Sequence, residues 1–153
     1  MEKTTYYTSA FGAIKITFTD ENITSLSFVS GKKNPLAITQ KPVCLKNVEK
    51  ALDQYFKTGK SDFSTVDFSV EGSDLQLSVW KALLSLKSGK TASYSDIAKK
   101  IGKDTAVRAV ASAVAKNPLL LIIPCHRIVR SDGTIGQYSG GEKIKKQLLD
   151  LEK

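Results

Sequence analysis

The sequence predicts an α+β fold, in which a small N-terminal β-sheet plus helix packs on a mostly helical C-terminal half containing a helix-turn-helix. Three observations lead there. Runs rich in β-formers, separated by turn residues, fill the first thirty positions, and apolar residues at helical spacing dominate the second half. The charge also changes between the halves: residues 1–72 carry 9 Lys and Arg against 8 Asp and Glu, whereas residues 73–153 carry 14 against 7. Of the net charge of +8, all but one therefore belongs to the second half. The shift coincides with Glu71-Gly72-Ser73, so the expected division is a support domain over 1–72 and a working domain over 73–153.

Residues 4–9 and 13–19 read as two strands joined near Gly12, and residues 23–29 as a third after the turn Asp20-Glu21-Asn22. A loop rich in Lys, Gly and Pro follows over 31–42. Leu45, Val48, Ala51, Leu52, Tyr55 and Phe56 then recur at helical spacing, with Gly59 as the stop. Residues 66–70 alternate and read as a further strand. In the second half, Leu75, Val79, Leu83 and Leu86 mark one helix, widened by Trp80 and Leu84. Ser93-Tyr94-Ser95-Asp96 has the form of a capping box opening a short helix that stops at Gly102. A helix over 105–116 follows after a short turn. That pairing is a helix-turn-helix pattern, although helical hairpins of other kinds share it.

The helix over 105–116 is the more informative of the two. Val107, Val110, Ala111 and Val114 form its apolar stripe, and the opposite side presents Thr105, Arg108, Ala109, Ser112 and Lys116. Small side chains around one arginine allow a close approach to another surface. That surface is either a neighbouring helix of the same protein or, in so basic a domain, nucleic acid.

Composition narrows the class. Hydrophobic residues are 41% and charged residues 25%, as in soluble globular proteins. The apolar run at 119–123 is five residues long, too short to cross a bilayer, and reads as a buried strand. No signal-peptide layout opens the chain, so a cytoplasmic location without membrane contact is expected. The two cysteines, Cys44 and Cys125, are expected to be reduced. With His126 they make three candidate metal ligands where a structural zinc site takes four, so neither a metal nor a cofactor is expected.

The chemistry is concentrated in the stretch 117–129. An apolar run ends at Pro124, and Cys125 and the single histidine, His126, follow directly. An inert buried thiol beside an unrelated imidazole is one reading. A reactive thiol activated by His126 or the Arg127 cation is the other.

Pro124-Cys125-His126-Arg127-Ile128-Val129 resembles the active-site signature of the O6-alkylguanine-DNA alkyltransferases, the methylated-DNA–protein-cysteine methyltransferases. The resemblance extends through Val79-Trp80-Lys81-Ala82-Leu83, Gly89-Lys90-Thr91-Ala92-Ser93-Tyr94, Arg108-Ala109-Val110, Asn117-Pro118 and Gly136-Gln137-Tyr138-Ser139-Gly140-Gly141, covering about residues 72–152. It implies a ribonuclease H-like N-terminal domain and a winged-helix-like C-terminal one. The implied partner is double-stranded DNA containing O6-alkylguanine, with O4-alkylthymine as a second substrate, bound through the minor groove by a monomer, cooperative assembly on the DNA being left open. The damaged base is flipped out of the stack and its alkyl group moved irreversibly to the protein.

Residue by residue, the resemblance implies Cys125 as nucleophile, His126 as its base through a water, and Glu152 as the acid that orients the histidine. Asn117 would hold the active-site turn together, and Tyr94 would deliver a proton to the leaving base. Tyr94, Ile128, Tyr138, Ser139 and Gly140 would bind the base. Arg108 would fill the vacated stack, with Tyr94, Thr105, Ala109, Ser112 and Arg127 also meeting DNA. Two positions depart from the pattern. Leu75 stands where the family often has Phe, and Leu120 where mammalian relatives have Pro.

Overall fold

The computed structural model describes residues 1–60 and 62–153. Strands β1 (Lys3–Ser9), β2 (Gly12–Phe18) and β3 (Ile23–Val29) form an antiparallel meander in that order. The first turn is as tight as the sequence implies, with Ser9 paired to Gly12. Alternation along β2 buries Ile14, Ile16 and Phe18 on one face, and Ile23 and Leu26 of β3 join them. Helix α1 (Val43–Thr58) covers that face with Leu45, Val48, Leu52 and Tyr55, the spacing read from the sequence. It ends at Gly59, whose positive φ of 75° lets its N–H reach the Tyr55 carbonyl at 2.7 Å.

Residues 66–70 do not form the expected strand. Phe68 meets β3 through a single parallel bridge at Ile23. Further along β3 the free edge is already taken, because the Leu26 N–H donates to Pro118 O at 2.9 Å and the Leu120 N–H donates to Leu26 O at 3.1 Å. The backbone of the N-terminal sheet is thus hydrogen-bonded to the segment that leads into Cys125.

The second half is built from α2 (Asp74–Leu83), α3 (Tyr94–Lys100), α4 (Val107–Ala115) and α5 (Glu142–Leu151), with a two-residue parallel pairing of β4 (Ala92–Ser93) and β5 (Ile128–Val129). Both α2 and α3 open with reciprocal capping boxes, Ser73 with Gln76 and Ser93 with Asp96. Helix α2 stops at Leu83, short of Leu86. Helices α3 and α4 are the expected pair, joined through Gly102 at φ 74°. The buried stripe of α4 is Val110, Ala113 and Val114, with Val107 and Ala111 only half buried. It is rotated toward α2 because the Trp80 indole donates to Ala113 O at 2.9 Å. The exposed face is the predicted one: Thr105, Arg108, Ala109, Ser112 and Lys116 all lie open.

Residues 119–123 are buried but are not a strand. Leu119 bridges to Leu26 and Leu120 to Ile123, so the chain turns back on itself through Leu121 at φ 73°. The run is apolar because it is enclosed, not because it pairs along its length. The sequence pattern alone does not separate those cases.

Gly59 is where α1 meets the end of α5. A methyl group there would lie 2.2 Å from Leu151 O, in a backbone conformation that L-residues avoid. Gly59→Ala should therefore cost about 2 kcal/mol or more of stability, read as a lowered urea midpoint with unchanged slope. A midpoint within error of the parent would mean that the junction is looser than described.

Candidate active site

Cys125 stands on a single 3-10 turn, Cys125–Arg127, immediately after the folded-back apolar segment. Asn117 spans that segment from the inside, donating from Nδ2 to Ile123 O at 2.7 Å and accepting from the Leu119 N–H at 2.9 Å. One amide side chain thus holds both limbs of the turn, which holds the nucleophile candidate in a fixed direction. Cys125 is 4% exposed and looks into a cavity of about 400 Å³. Tyr94, Ala111, Val114, Tyr138, Ser139 and Gly141 line it with Cys125, so the cavity lies beneath the N-terminal turn of α3 and the inner side of α4. That volume suits a single flat heterocycle.

Behind the thiol, His126 is fully buried and its Nε2 lies 2.5 Å from Glu152 Oε2. Glu152 also accepts from Arg127 Nε at 2.8 Å and Nη2 at 3.1 Å, from the Tyr55 hydroxyl at 2.6 Å, and from the Gly89 N–H at 3.2 Å. Burial alone would raise the carboxyl, but the hydrogen bonds from His126 and Arg127 outweigh it and bring the pKa down to about 2. His126 is pushed the other way: desolvation lowers its pKa more than Glu152 restores it, so the resting imidazole is neutral. Since an ionised carboxylate only accepts, Nε2 carries the proton. Nδ1 is then the lone-pair nitrogen, and it is buried without a hydrogen-bond partner among the described residues.

The thiol is held neutral at rest. Burial pushes Cys125 up to about 11, against the pull of Asn117 and the Lys145 charge. Lys145 is itself unusual, a fully buried lysine on α5 donating from Nζ to Ile128 O at 2.5 Å and Gln137 O at 3.1 Å. Burial lowers its pKa to about 8. A lysine three residues before Leu148 and seven before Glu152, on the buried side of an amphipathic helix, was the available sequence signal for it.

The structure gathers Cys125, Tyr94, Tyr138 and Ser139 at one cavity, with Asn117, His126 and Glu152 behind the thiol. Ile128, whose carbonyl accepts from Lys145, and Gly140 are not among the residues lining it. A side chain on Gly140 would collide with the Tyr138 ring at 2.7 Å and approach Phe28 of β3 at 3.1 Å. Arg108, Thr105, Ala109 and Ser112 lie on the exposed face beyond the cavity. Arg127 does not join them. Its guanidinium is engaged by Glu152 and by Leu86 O, to which Nη1 donates at 2.7 Å, so it clamps that carboxylate and stands apart from the exposed face of α4. Cys44 is a separate buried thiol in the first turn of α1, and both cysteines are free.

Residues 74–153 match the family model for the DNA binding domain of 6-O-methylguanine DNA methyltransferase, and residues 3–70 match the model for its ribonuclease-like domain. The chain belongs to this family. Its relatives include the methylated-DNA–protein-cysteine methyltransferase of Methanosarcina barkeri, 38% identical with 94% of this chain and 92% of the relative covered. The enzyme of the same name from Metallosphaera sedula is 38% identical, covering 95% of this chain and 90% of its own. Among solved structures, the Mycobacterium tuberculosis O6-methylguanine methyltransferase superposes with a TM-score of 0.84 at 31% identity, over 99% of this chain and 93% of that one. The same organism's OGT in complex with DNA superposes at 0.82 and 33% identity, over 96% and 90%. The family's ribonuclease-like domain corresponds to the β1–β3 sheet with α1, and its DNA binding domain to the helical half that holds the cavity.

The low carboxyl pKa carries a stability consequence. A group depressed in the folded state contributes stability that is present above its ordinary value of 4.5 and is lost as pH falls toward about 2. Urea unfolding should show stability falling through that window, by ~3 kcal/mol in total for this group. In Glu152→Gln that part of the slope should vanish. An equally steep acid loss in the variant would assign it to other carboxylates.

Proposed function

We propose that this protein repairs DNA by direct reversal, taking the alkyl group from O6 of an alkylated guanine onto Cys125 in a single irreversible turnover. The observation that carries this reading is the buried chain from Glu152 through His126 to the turn of Cys125, at the floor of a base-sized cavity beneath an exposed helix face bearing Arg108. Membership of the family, with relatives named as methylated-DNA–protein-cysteine methyltransferases, supports it.

In this reading the domain 73–153 binds DNA and performs the transfer, and 1–72 supports it. The small-residue face of α4 lies in the minor groove, where only short side chains fit. Arg108 enters the stack as the alkylguanine leaves it, and Tyr94, at the first turn of α3, crowds the neighbouring phosphate. The extruded base enters the cavity against Tyr138 and Ser139, with the Cys125 and Ile128 carbonyls accepting from its exocyclic amine.

The proton moves from Cys125 Sγ to His126 Nδ1, through a water. The imidazolium so formed is stabilised by Glu152 through Nε2. Sulfur attacks the alkyl carbon, the carbon–O6 bond breaks, and the guanine leaves as its electron pair is neutralised by the Tyr94 hydroxyl proton. Burial and the nearby Cys125 raise the Tyr94 pKa, so its proton is retained until that charge develops. A thioether has no leaving group for water to displace, so each molecule acts once. The competing reading, a cysteine hydrolase, requires turnover.

Incubation with a duplex containing O6-methylguanine should add one methyl mass to the intact protein. Cys125→Ser should take up none while keeping its DNA affinity, because an alcohol is a far weaker nucleophile than a thiolate. Cys44→Ser should react like the parent. Stoichiometric methylation of Cys125→Ser would remove Cys125 as the acceptor, and multiple turnover would favour the hydrolase.

Arg108→Ala separates flipping from chemistry. Loss of the inserted guanidinium should slow transfer from duplex by one to two orders of magnitude, since extrusion costs roughly a few kcal/mol. Transfer from free O6-alkylguanine base should hardly change. Equal loss on both substrates would mean that Arg108 supports the pocket instead.

A further inference from the structure

Most of the second half's chemistry is accounted for by its own residues, but one hydroxyl reaches the network from the first half. Tyr55 lies near the end of α1 and is 1% exposed. Its hydroxyl donates to Glu152 Oε2 at 2.6 Å, the same oxygen that His126 Nε2 reaches at 2.5 Å, and stands 3.5 Å from that nitrogen. Its ring meets the imidazole edge-on, with centroids 6.4 Å apart. We propose that Tyr55 is a positioning residue for alkyl transfer: its hydroxyl anchors the oxygen of Glu152 that holds His126, so the N-terminal domain takes part in setting the imidazole's orientation and basicity. This rests on the function proposed above.

A tyrosine buried only for packing needs a partner for its hydroxyl, and a backbone carbonyl would serve. Here the partner is the acceptor on which the proton relay depends. Tyr55, His126 Nε2 and Arg127 Nη2 converge on Oε2, while Arg127 Nε and the Gly89 N–H take Oε1. A carboxylate offers about four acceptor positions, so these donors use its full capacity and fix its plane. Without the Tyr55 hydroxyl, Oε2 gains rotational freedom and concentrates its negative charge on the His126 N–H.

The sign of the effect follows from the groups around the imidazole. Glu152 favours its protonated form, while the Arg127 and Lys145 cations disfavour it. Cys125 and Tyr138 complete the surround, the latter ring 6.4 Å from the imidazole. Tyr55 is neutral and acts by moderating Glu152. Removing its hydroxyl leaves a more basic carboxylate, which holds the imidazolium to a higher pH. Because a base must begin deprotonated, the acid limb of the transfer rate should move upward.

The test uses the full chain. His126 is the only histidine, so its ring nitrogens can be read by 15N NMR without ambiguity. In the parent, Nε2 should be protonated and Nδ1 bare, with a nuclear Overhauser contact between the Tyr55 hydroxyl proton and His126 Nε2–H. Tyr55→Phe keeps the ring and should raise the His126 pKa and shift its ring-nitrogen signals, with Nε2 still carrying the proton in the neutral form. It should also slow methyl uptake from the O6-methylguanine duplex roughly ten-fold at neutral pH. Leu52→Ala, a cavity in the same helix, should lower stability while leaving the imidazole signals and the shape of the pH profile alone.

Parental signals and rates in Tyr55→Phe would overturn the proposal, as would the same spectral change in Leu52→Ala or the missing contact in the parent. A parent that takes up no methyl at all would instead overturn the function itself, and this role with it.

Discussion

The Glu152 carboxylate lies 5% exposed just beyond α5, where α1, the turn of Cys125 and the loop before β4 all meet. An ionised group cannot occupy such a place unless hydrogen bonds replace its water. Five donated hydrogen bonds do so here, from Tyr55, His126, Gly89 and twice from Arg127. The need to satisfy one buried charge therefore fixes where α1 ends, how the Cys125–Arg127 turn is oriented and how α5 docks. It also fixes the histidine's tautomer, since every group around a carboxylate must donate to it. Structural integrity and proton logic are here the same requirement.

A second constraint acts on the thiol. Cys125 is placed by a turn with no regular pairing, held by Asn117 from within and by the edge of β3 from outside. The price is a left-handed Leu121 and a run of apolar residues that must be enclosed, Leu119 by its bridge to Leu26 of the N-terminal sheet. The result is a cysteine on the floor of a cavity, with its pKa raised to about 11 by burial. A resting thiol of that kind is a poor target for solvent-borne electrophiles and oxidants. In the proposed transfer it becomes a nucleophile only when its proton has somewhere to go, which would couple reactivity to a substrate that fills the cavity.

Much of this was legible in the sequence, and the failures have physical causes. Strands β1–β3, the spacing of α1 and its stop at Gly59, and the Ser93 capping box were all readable because each depends on local chemistry. The exposed face of α4 was readable for the same reason. The apolar stretch 119–123 was misread as a strand because enclosure and pairing demand the same residues. Residues 66–70 alternate as a strand should, but the edge they needed is occupied by a segment fifty residues later. The motif around Cys125 singled out the cysteine that the fold places at the cavity. Nothing local announced the partner of Tyr55, whose helical spacing marked it only as core, and the helical spacing that puts Lys145 on the buried side of α5 does not name its partners. Their partners lie 97 residues from Tyr55 and 17 from Lys145, and only the fold brings them together.

The same distinction bears on how the basic half meets a polyanion. Counting residues assigns it 14 cations, but two of them face inward: Arg127 neutralises Glu152, and Lys145 is sealed among backbone carbonyls. With that pair and that lysine set aside, 12 cations remain against 6 acids, a surface excess of +6. These include Lys99, Lys100 and Lys103 around the end of α3 and Lys116 at the end of α4, all exposed. They flank a face of α4 that carries one arginine among small side chains. Phosphate attraction is thus supplied by the borders, where it is independent of base sequence. The centre is left bare enough for the helix to approach closely, with Arg108 as its one long projection. Under the function proposed above, a protein that must search undamaged DNA and stop only where a base can be extracted needs that separation. Attraction spread across the central face would hold the helix equally well everywhere, whereas a sparse centre would let base extrusion decide where it stays.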